Sequence, residues 1–357
     1  MAELSAIDAA TKRYIRETPK LVDMVFQEAA AIRLAKEAVR EDFPGGRLIG
    51  ENFYYAGLIG GPYAKGQDFD ISEPQIEQEL QFNIKFQEVN VTLTKEDIQV
   101  INKGENAAFK LIESRVTAAY MTHGAFSDIA IFLNGQAANY TKNINGLAEA
   151  LNDNSTASWD GSTYSTYGTI TRGGAVGNVL NSAPTNVNGT IEYTTLEEQY
   201  GNCSFGPNKE PNYLVTTYLG YSYIKEKFQT QQRFNDTQDP KIGFTGMKFN
   251  DAVILRDRYC PGTYISGTGD PNAVNFFKFM SGGALTAYPT LTAESLWMLN
   301  VRKPYMNFYM SDDPEYQLGF TGFKPAQGNT KVAGQVLLAW QMTFAPRYHK
   351  QLYGITG

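Results

Sequence analysis

The sequence predicts an α+β chain, and three observations carry that class: a period-two apolar run between Gln75 and Leu93, a long run at helical spacing after Thr94, and a strand–helix–strand succession between Tyr213 and Leu255. With 357 residues the chain exceeds the roughly 100 to 200 residues of one ordinary domain, so one large domain or two intertwined ones are expected.

From about Ala6 to Arg40 the residues read as helical, with Leu21, Met24, Val25, Ala29, Ile32, Ala35 and Val39 recurring near helical spacing after Thr18-Pro19. The segment should break at Phe43-Pro44-Gly45-Gly46, where proline and glycine favour a turn.

Alternation follows. Ile76, Leu80, Phe82, Ile84 and Phe86 take even positions, interrupted at Gln78, and Val89, Val91 and Leu93 continue on odd ones. This is a half-buried strand with a bulge or bend near Gln87-Glu88. At about 3.3 Å per residue it would reach roughly 60 Å, against about 17 to 20 Å for a usual strand. Arg47 to Tyr55 is its antiparallel partner, and Gly57, Gly60, Gly61, Pro62 and Gly66 supply a loose tip. A long two-stranded ribbon is unstable alone and must lie on a neighbouring subunit to cover its apolar face. Tyr54, Tyr55, Tyr63, Lys65, Ile76, Leu80, Phe82 and Ile84, on its tip and face, are the candidate intersubunit contacts.

Thr94-Lys95-Glu96-Asp97 resembles a capping box, and Ile101, Ala108, Ile112, Ala119, Phe126, Ala130 and Leu133 then mark one long helix, closed by Asn134-Gly135. From Lys103 to Leu133 it would extend about 45 Å, a spine across the molecule. Residues Asn152 to Gly189 read as surface loops and short strands. Beyond them a short helix is expected over Thr194–Tyr200, a buried strand at Tyr213–Thr216, a helix near Tyr218–Phe228 and a second buried strand over Phe249–Leu255. Ala273–Phe279, Glu294–Val301 and Tyr305–Met310 read as strands, and Lys331–Phe344 as a central strand of the main sheet.

Charged residues make up only 19% of the chain against a usual share of about 25%, so its surface is poor in the charges that keep monomers apart. Net charge is −6, and the early cations are interleaved with acids, which leaves no one-signed field for sequence-specific DNA binding. Cys203 and Cys260 fit no metal or redox spacing. The acidic start Met1-Ala2-Glu3 is unlike a secretory signal, and no apolar run approaches the about 18 residues needed to span a membrane.

Catalytic constellations are missing from the sequence. His123 and His349 lie far apart without metal-ligand spacing; His123 reads as a packed or interfacial imidazole and His349 as a solvated tail residue beside Arg347 and Lys350. Gly267-Thr268-Gly269-Asp270-Pro271 lacks the third glycine and the ensuing helix of a phosphate loop, and reads as a turn. Asp68-Phe69-Asp70 and Asp312-Asp313-Pro314-Glu315 are clustered carboxylates better explained as surface turns. Trp159-Asp160-Gly161 with Tyr164 and Tyr167 could imitate a sugar-binding face, but 22 Tyr and 21 Phe argue first for association. No cofactor is expected.

The order of arm, long two-stranded loop, spine helix, α/β subdomain and returning strands resembles the Hong Kong 97 fold of tailed-bacteriophage major capsid proteins. Three local stretches are also similar to a group of such proteins: Glu17-Thr18-Pro19-Lys20-Leu21-Val22-Asp23, Gly60-Gly61-Pro62-Tyr63-Ala64-Lys65-Gly66-Gln67, and Leu133-Asn134-Gly135-Gln136-Ala137-Ala138-Asn139 followed by Asn145-Gly146-Leu147-Ala148-Glu149-Ala150-Leu151.

The resemblance implies an N-terminal arm at 1–46, an extended loop at 47–93, a peripheral domain with the spine helix at 94–140 and 271–357, and an axial domain at 141–270. It implies a non-enzymatic shell protein of the virion, assembled in the host cytoplasm from pentamers and hexamers of itself around double-stranded DNA. Portal and decoration proteins are the expected further partners, along with a separate scaffolding protein, since the helical piece ahead of Pro19 leaves little room for a built-in one. Some relatives join a loop lysine to a neighbour's asparagine; Lys65 lies at such a tip, but no motif identifies a partner asparagine or acid, so that chemistry is not carried over. Two other readings stay open, an encapsulin-like protein compartment and a carbohydrate-binding surface protein using the Tyr and Trp loops with Asp312, Asp313 and Glu315.

Overall fold

A computed structural model describes residues 13, 30–46, 48–68, 72–96, 105–229, 236–238, 245–285, 287–325 and 330–357. Helix α1 (Ala30–Glu37) is buried along Ala30, Ala31, Ile32, Leu34 and Ala35. Two buried carboxylates hold its first turn: Asp257 accepts the amide of Ala31 and Asp128 that of Ile32, both at 2.7 Å. The helix ends short of the expected Arg40, because Val39 and Arg40 belong to strand β1 (Val39–Phe43). The predicted helical stretch ahead of Ala30 lies outside the described residues, Arg13 apart. Pro44-Gly45-Gly46 does break the chain, with both glycines at positive φ.

Strands β2 (Ile49–Tyr54) and β3 (Glu77–Phe82) form the predicted antiparallel ribbon, but it is shorter than expected. The run from Gln75 to Leu93 is interrupted at Asn83-Ile84, ahead of the bend expected at Gln87-Glu88, and continues as β4 (Lys85–Thr94) in a different sheet. Helix α2 (Glu105–Phe132) is the spine, about 42 Å long at 1.5 Å per residue. Its expected beginning, Asp97 to Gly104, is outside the described residues. It closes as predicted at Asn134, whose side-chain oxygen accepts the amides of Gln136 at 3.2 Å and Ala137 at 2.9 Å.

The Ser- and Gly-rich stretch after the spine holds α3 (Leu147–Ala150), β5 (Thr166–Tyr167), β6 (Ile170–Thr171), α4 (Gly174–Leu180) and β7 (Thr185–Thr190). Part of the stretch from Asn152 to Gly189 is interior and not the expected surface: Trp159, Tyr164, Tyr167 and Leu180 are buried. Arg172 explains how polar loops pack inward, since its guanidinium donates to the carbonyls of Glu149, Ala150, Asn152 and Leu180. Next come α5 (Tyr193–Asn202), β8 (Tyr213–Thr216), α6 (Tyr218–Gln229), β9 (Asp236–Gln238), β10 (Thr245–Phe249) and β11 (Ala252–Arg256), close to the sequence reading.

Ala273–Phe279 is the clearest departure: it is helix α7 (Pro271–Met280) and not a strand. Asp270 caps it, accepting the amides of Asn272 at 2.9 Å and Ala273 at 3.2 Å, and Pro271 occupies the start of the helix where its missing N–H costs nothing. Ala273, Phe276, Phe277 and Met280 then form one buried face at helical spacing. The chain closes with β12 (Glu294–Leu299), β13 (Met306–Ser311), β14 (Gln317–Phe320), β15 (Lys324–Pro325), β16 (Lys331–Phe344) and β17 (Lys350–Thr356).

Two large sheets result. A six-stranded sheet is organised on β16, which is central as predicted: β4 pairs along one side, and β13, β14 and β15 along the other, with β1 parallel to β13 at the edge. A seven-stranded sheet runs β7-β17-β12-β8-β11-β10-β9, with β8 and β11 parallel. Strand β8 is buried on both faces, which explains its unbroken apolar run. One face of this sheet packs on α5 and α6 through Leu196, Ile224, Phe228 and Ile254. The other joins the main core, where Trp297 meets the spine residue Phe132 with ring centroids 5.6 Å apart. The stretch from 271 to 357, expected to lie wholly with the spine, is therefore divided by its pairing: β12 and β17 belong to the α/β sheet.

Candidate functional site

The ribbon is built outward from a buried root. Ile49 pairs with Phe82 at the root and Tyr54 with Glu77 farther out, and the amide of Tyr55 extends the ladder to the carbonyl of Ile76 at 3.0 Å. Phe82 packs edge-on to Tyr167 with centroids 5.2 Å apart, and the amide of Gln81 donates to the carbonyl of Gly168 at 2.9 Å. Gly168 has φ +52, and a Cβ there would lie 2.7 Å from the Phe82 ring, so glycine is required both for the backbone and for the contact. A polar clamp completes the root: one carboxylate oxygen of Glu51 accepts from Asn307 Nδ2 at 2.9 Å, from Tyr309 Oη at 2.8 Å and from Thr343 Oγ1. Burial, and then the Glu51 charge, push the Tyr309 hydroxyl above its ordinary range.

Beyond the root the ribbon is exposed among the described residues. Residues 56–68 are exposed, with Leu58 at 76% and Tyr63 at 67%. Its sequence from 48 to 82 contains Glu51, Asp68, Asp70, Glu73, Glu77 and Glu79 but one cation, Lys65. Of the predicted contact residues, Tyr54, Tyr63 and Lys65 are exposed, and Tyr55, Ile76 and Ile84 are half-buried. Leu80 and Phe82 differ: they are buried within this chain, because the root and not the tip carries the strongest alternation. Phe86, expected on the same apolar face, is 66% exposed beside Tyr316.

The residues with chemical potential serve the interior. His123 is fully buried, donating from Nε2 to the Val336 carbonyl at 2.9 Å, with Nδ1 3.2 Å from Gln87 Nε2, and burial lowers it to about 4. This is the packed imidazole the sequence suggested. His349 is not a solvated tail residue: it is equally buried, its Nδ1 accepts the amide of Asn300 at 3.1 Å, its Nε2 donates to the Tyr305 carbonyl at 2.9 Å, and it too is lowered to about 4. Strand β17 continues after it into the seven-stranded sheet, which draws it inside.

Asp313 accepts the amide of Glu315 at 3.0 Å in an exposed turn, as expected. Of Asp68-Phe69-Asp70, only Asp68 is among the described residues. Trp159, Tyr164 and Tyr167 do not make an open sugar-binding face, since all three are buried and Trp159 stacks on Tyr288. Both cysteines are free and buried; burial pushes Cys203 up to about 12 and Cys260 well above its ordinary value. Sequence reasoning missed Glu149, a fully buried carboxylate that gathers Gly135, Gln136 and Asn145. Its signal was the amide-rich Leu133–Asn139 and Asn145–Leu151 phrases themselves. Among the described residues, no helix is long and apolar enough to cross a membrane.

No protein-family model matches the chain, and no curated protein matches it by sequence. Solved structures do. The capsid asymmetric unit of cyanophage A-1(L) is similar at TM-score 0.59 and 13% identity, over 91% of this chain and 92% of that one. The holo-SrpI encapsulin complex of Synechococcus elongatus is similar at 0.56 and 9%, over 91% and 88%, and the capsid of a native GTA particle at 0.56 and 7%, over 90% of each. The chain has the Hong Kong 97-like capsid fold, with a two-stranded ribbon, a spine helix, a sheet beside it and a second α/β sheet.

Proposed function

We propose that this chain is the major capsid protein of a tailed bacteriophage, a structural subunit whose copies form pentamers and hexamers of an icosahedral head around double-stranded DNA. The observation that carries the reading is the ribbon: a clamped, buried root that presents an uncovered apolar tip, on a chain whose fold is shared with capsids over nine-tenths of its length. A tip so exposed adds little to the core formed by the described residues, and packing against another copy would bury its apolar groups. Tyr54, Tyr63 and Lys65 lead that contact, with Tyr55, Ile76 and Ile84 flanking it. The ribbon is the extended loop, the spine and six-stranded sheet the peripheral domain, and the seven-stranded sheet the axial domain. Scaffolding, portal and decoration proteins are its further partners in the virion, and assembly occurs in the host cytoplasm.

Similarity to an encapsulin favours one second reading, a protein compartment with the same shell and a protein cargo. Negative-stain imaging with sizing chromatography tests the shell, for the chain alone and for a deletion of residues 57–66. Closed shells or rings from the intact chain, and folded but unassembled subunits from the deletion, are expected. A stable monomer under all conditions defeats the shell, and intact shells from the deletion defeat the ribbon's role. Nucleic acid or protein inside the particles separates phage head from compartment.

A further inference from the structure

Helix α7 and the start of β4 enclose an aromatic groove beside the spine. Phe126 of the spine and Phe276 and Met280 of α7 form its floor, and the Phe126 and Phe276 rings hold each other edge-on with centroids 5.4 Å apart. Phe86 and Phe279 stand at its lips, 66% and 53% exposed. Large aromatic side chains left in water around a fixed floor mark a surface that another molecule covers. Two cations lie among them. Lys85 is half-buried and held in place by donation from Nζ to the Thr141 carbonyl at 2.7 Å. Lys142 is exposed, with no ion pair among the described residues. The one acid of the groove, Glu88, accepts from Gln335 Nε2 of the neighbouring β16 at 3.3 Å.

The ribbon carries the complementary chemistry. Glu77 and Glu79 are exposed on one face of β3, and Glu73 is exposed just ahead of it. In register, Tyr54 lies opposite Glu77 and Asn52 opposite Glu79, so these four side chains share that face. Tyr54 is 67% exposed and hydrogen bonds to Glu77. Lys65, the ribbon's cation, sits away from this row at the tip. A tyrosine among carboxylates is the counterpart of an aromatic groove edged by lysines. Tyr54 and the groove lips are exposed in the same chain, so neither covers the other, and their meeting requires two copies.

We propose that this face of the ribbon docks in the groove between α7 and β4 of a second copy, with Tyr54 between Phe86 and Phe279 and the Glu77 and Glu79 carboxylates against Lys142 and Lys85. The inference rests on the shell reading and deepens it by naming the surface that receives the ribbon. The aromatic contact supplies apolar burial, and the opposed charges select which part of the ribbon enters.

The test is sizing chromatography and negative-stain imaging of full-chain variants. Lys142→Glu and Glu77→Lys, both at exposed positions, should each raise the concentration needed for assembly about tenfold, and the double variant should bring it back toward the parent. Glu77→Cys combined with Lys142→Cys should cross-link copies on oxidation, since the native Cys203 and Cys260 are buried. Thermal melts confirm that each variant folds. A parent chain that never assembles overturns the shell reading and the docking with it. A parent that assembles, with both charge reversals assembling equally well, overturns the docking alone and leaves the groove to another occupant. A double reversal no better than either single one, or absence of the cross-link, does the same.

Discussion

Glu149 Oε2 accepts the backbone amide of Gly135 at 3.1 Å, and so ties the end of the spine helix to the first turn beyond it. Asn145 Nδ2 reaches both carboxylate oxygens, at 2.8 and 3.0 Å, and Gln136 Nε2 reaches Oε1 at 2.8 Å. Burial raises the Glu149 carboxyl, and these donors pull it back. Glu149→Leu would strand several buried donors at once. A loss on the order of 3 kcal/mol is expected from chemical denaturation, with a smaller loss for Glu149→Gln.

Acid should weaken the fold through its two histidines. Each is lowered from 6.5 to about 4 by burial, so the unfolded chain binds the extra protons first. Their contribution is complete above pH 6.5 and is lost as pH falls toward 4, on the order of 3 kcal/mol for each. Melting temperatures between pH 7.5 and 4.5 should decline, and His349→Gln should show a shallower decline than the parent.

Gly168→Ala should loosen the ribbon root. Alanine is strained at φ +52, and its methyl would press on Phe82 and Leu80. A destabilisation of about 2 kcal/mol or more is expected in thermal melts, with the ring contact of Phe82 and Tyr167 disturbed.

Glu51→Ala should free the ribbon without unfolding the sheets, because it removes the one acceptor shared by Asn307, Tyr309 and Thr343. Limited proteolysis is the check: cleavage within 55–76 should accelerate, while sites in the two large sheets stay protected.

Asp270→Ala should cost about 1 kcal/mol by removing the cap of α7, and Asp270→Asn should recover most of it. Because Asp270 also accepts from Arg258 at 3.0 Å, the alanine loss should decrease at high salt.

The elements that were legible in the sequence are those whose burial is one-sided or complete. The spine, β8, α6 and β16 each show a period or an unbroken apolar run that survives in the fold. Pairing was harder to read, because periodicity reports which face is buried and not which strand lies alongside. The residues from Gln75 to Leu93 look like one strand, yet β3 pairs with β2 and β4 with β16. Helix α7 was hidden by its aromatic content, which suits strands, although Asp270-Pro271 stated its start. The polar clamps of Glu51 and Glu149 were invisible for another reason: their donors come from residues distant in sequence, and only the fold brings them together. On the ribbon, exposure at Tyr54, Tyr63 and Lys65 followed from the glycine-rich tip, whereas Leu80 and Phe82 were claimed by the chain's own core.

The buried thiols give the chain an internal clock. Cys203 lies at the end of α5 and Cys260 in the loop after β11, and neither supplies an appreciable thiolate while the seven-stranded sheet is closed. An alkylating reagent therefore reaches each only when the structure around it opens, and where labelling outpaces reclosing its time course reads the rate of that opening, whatever the state of the ribbon.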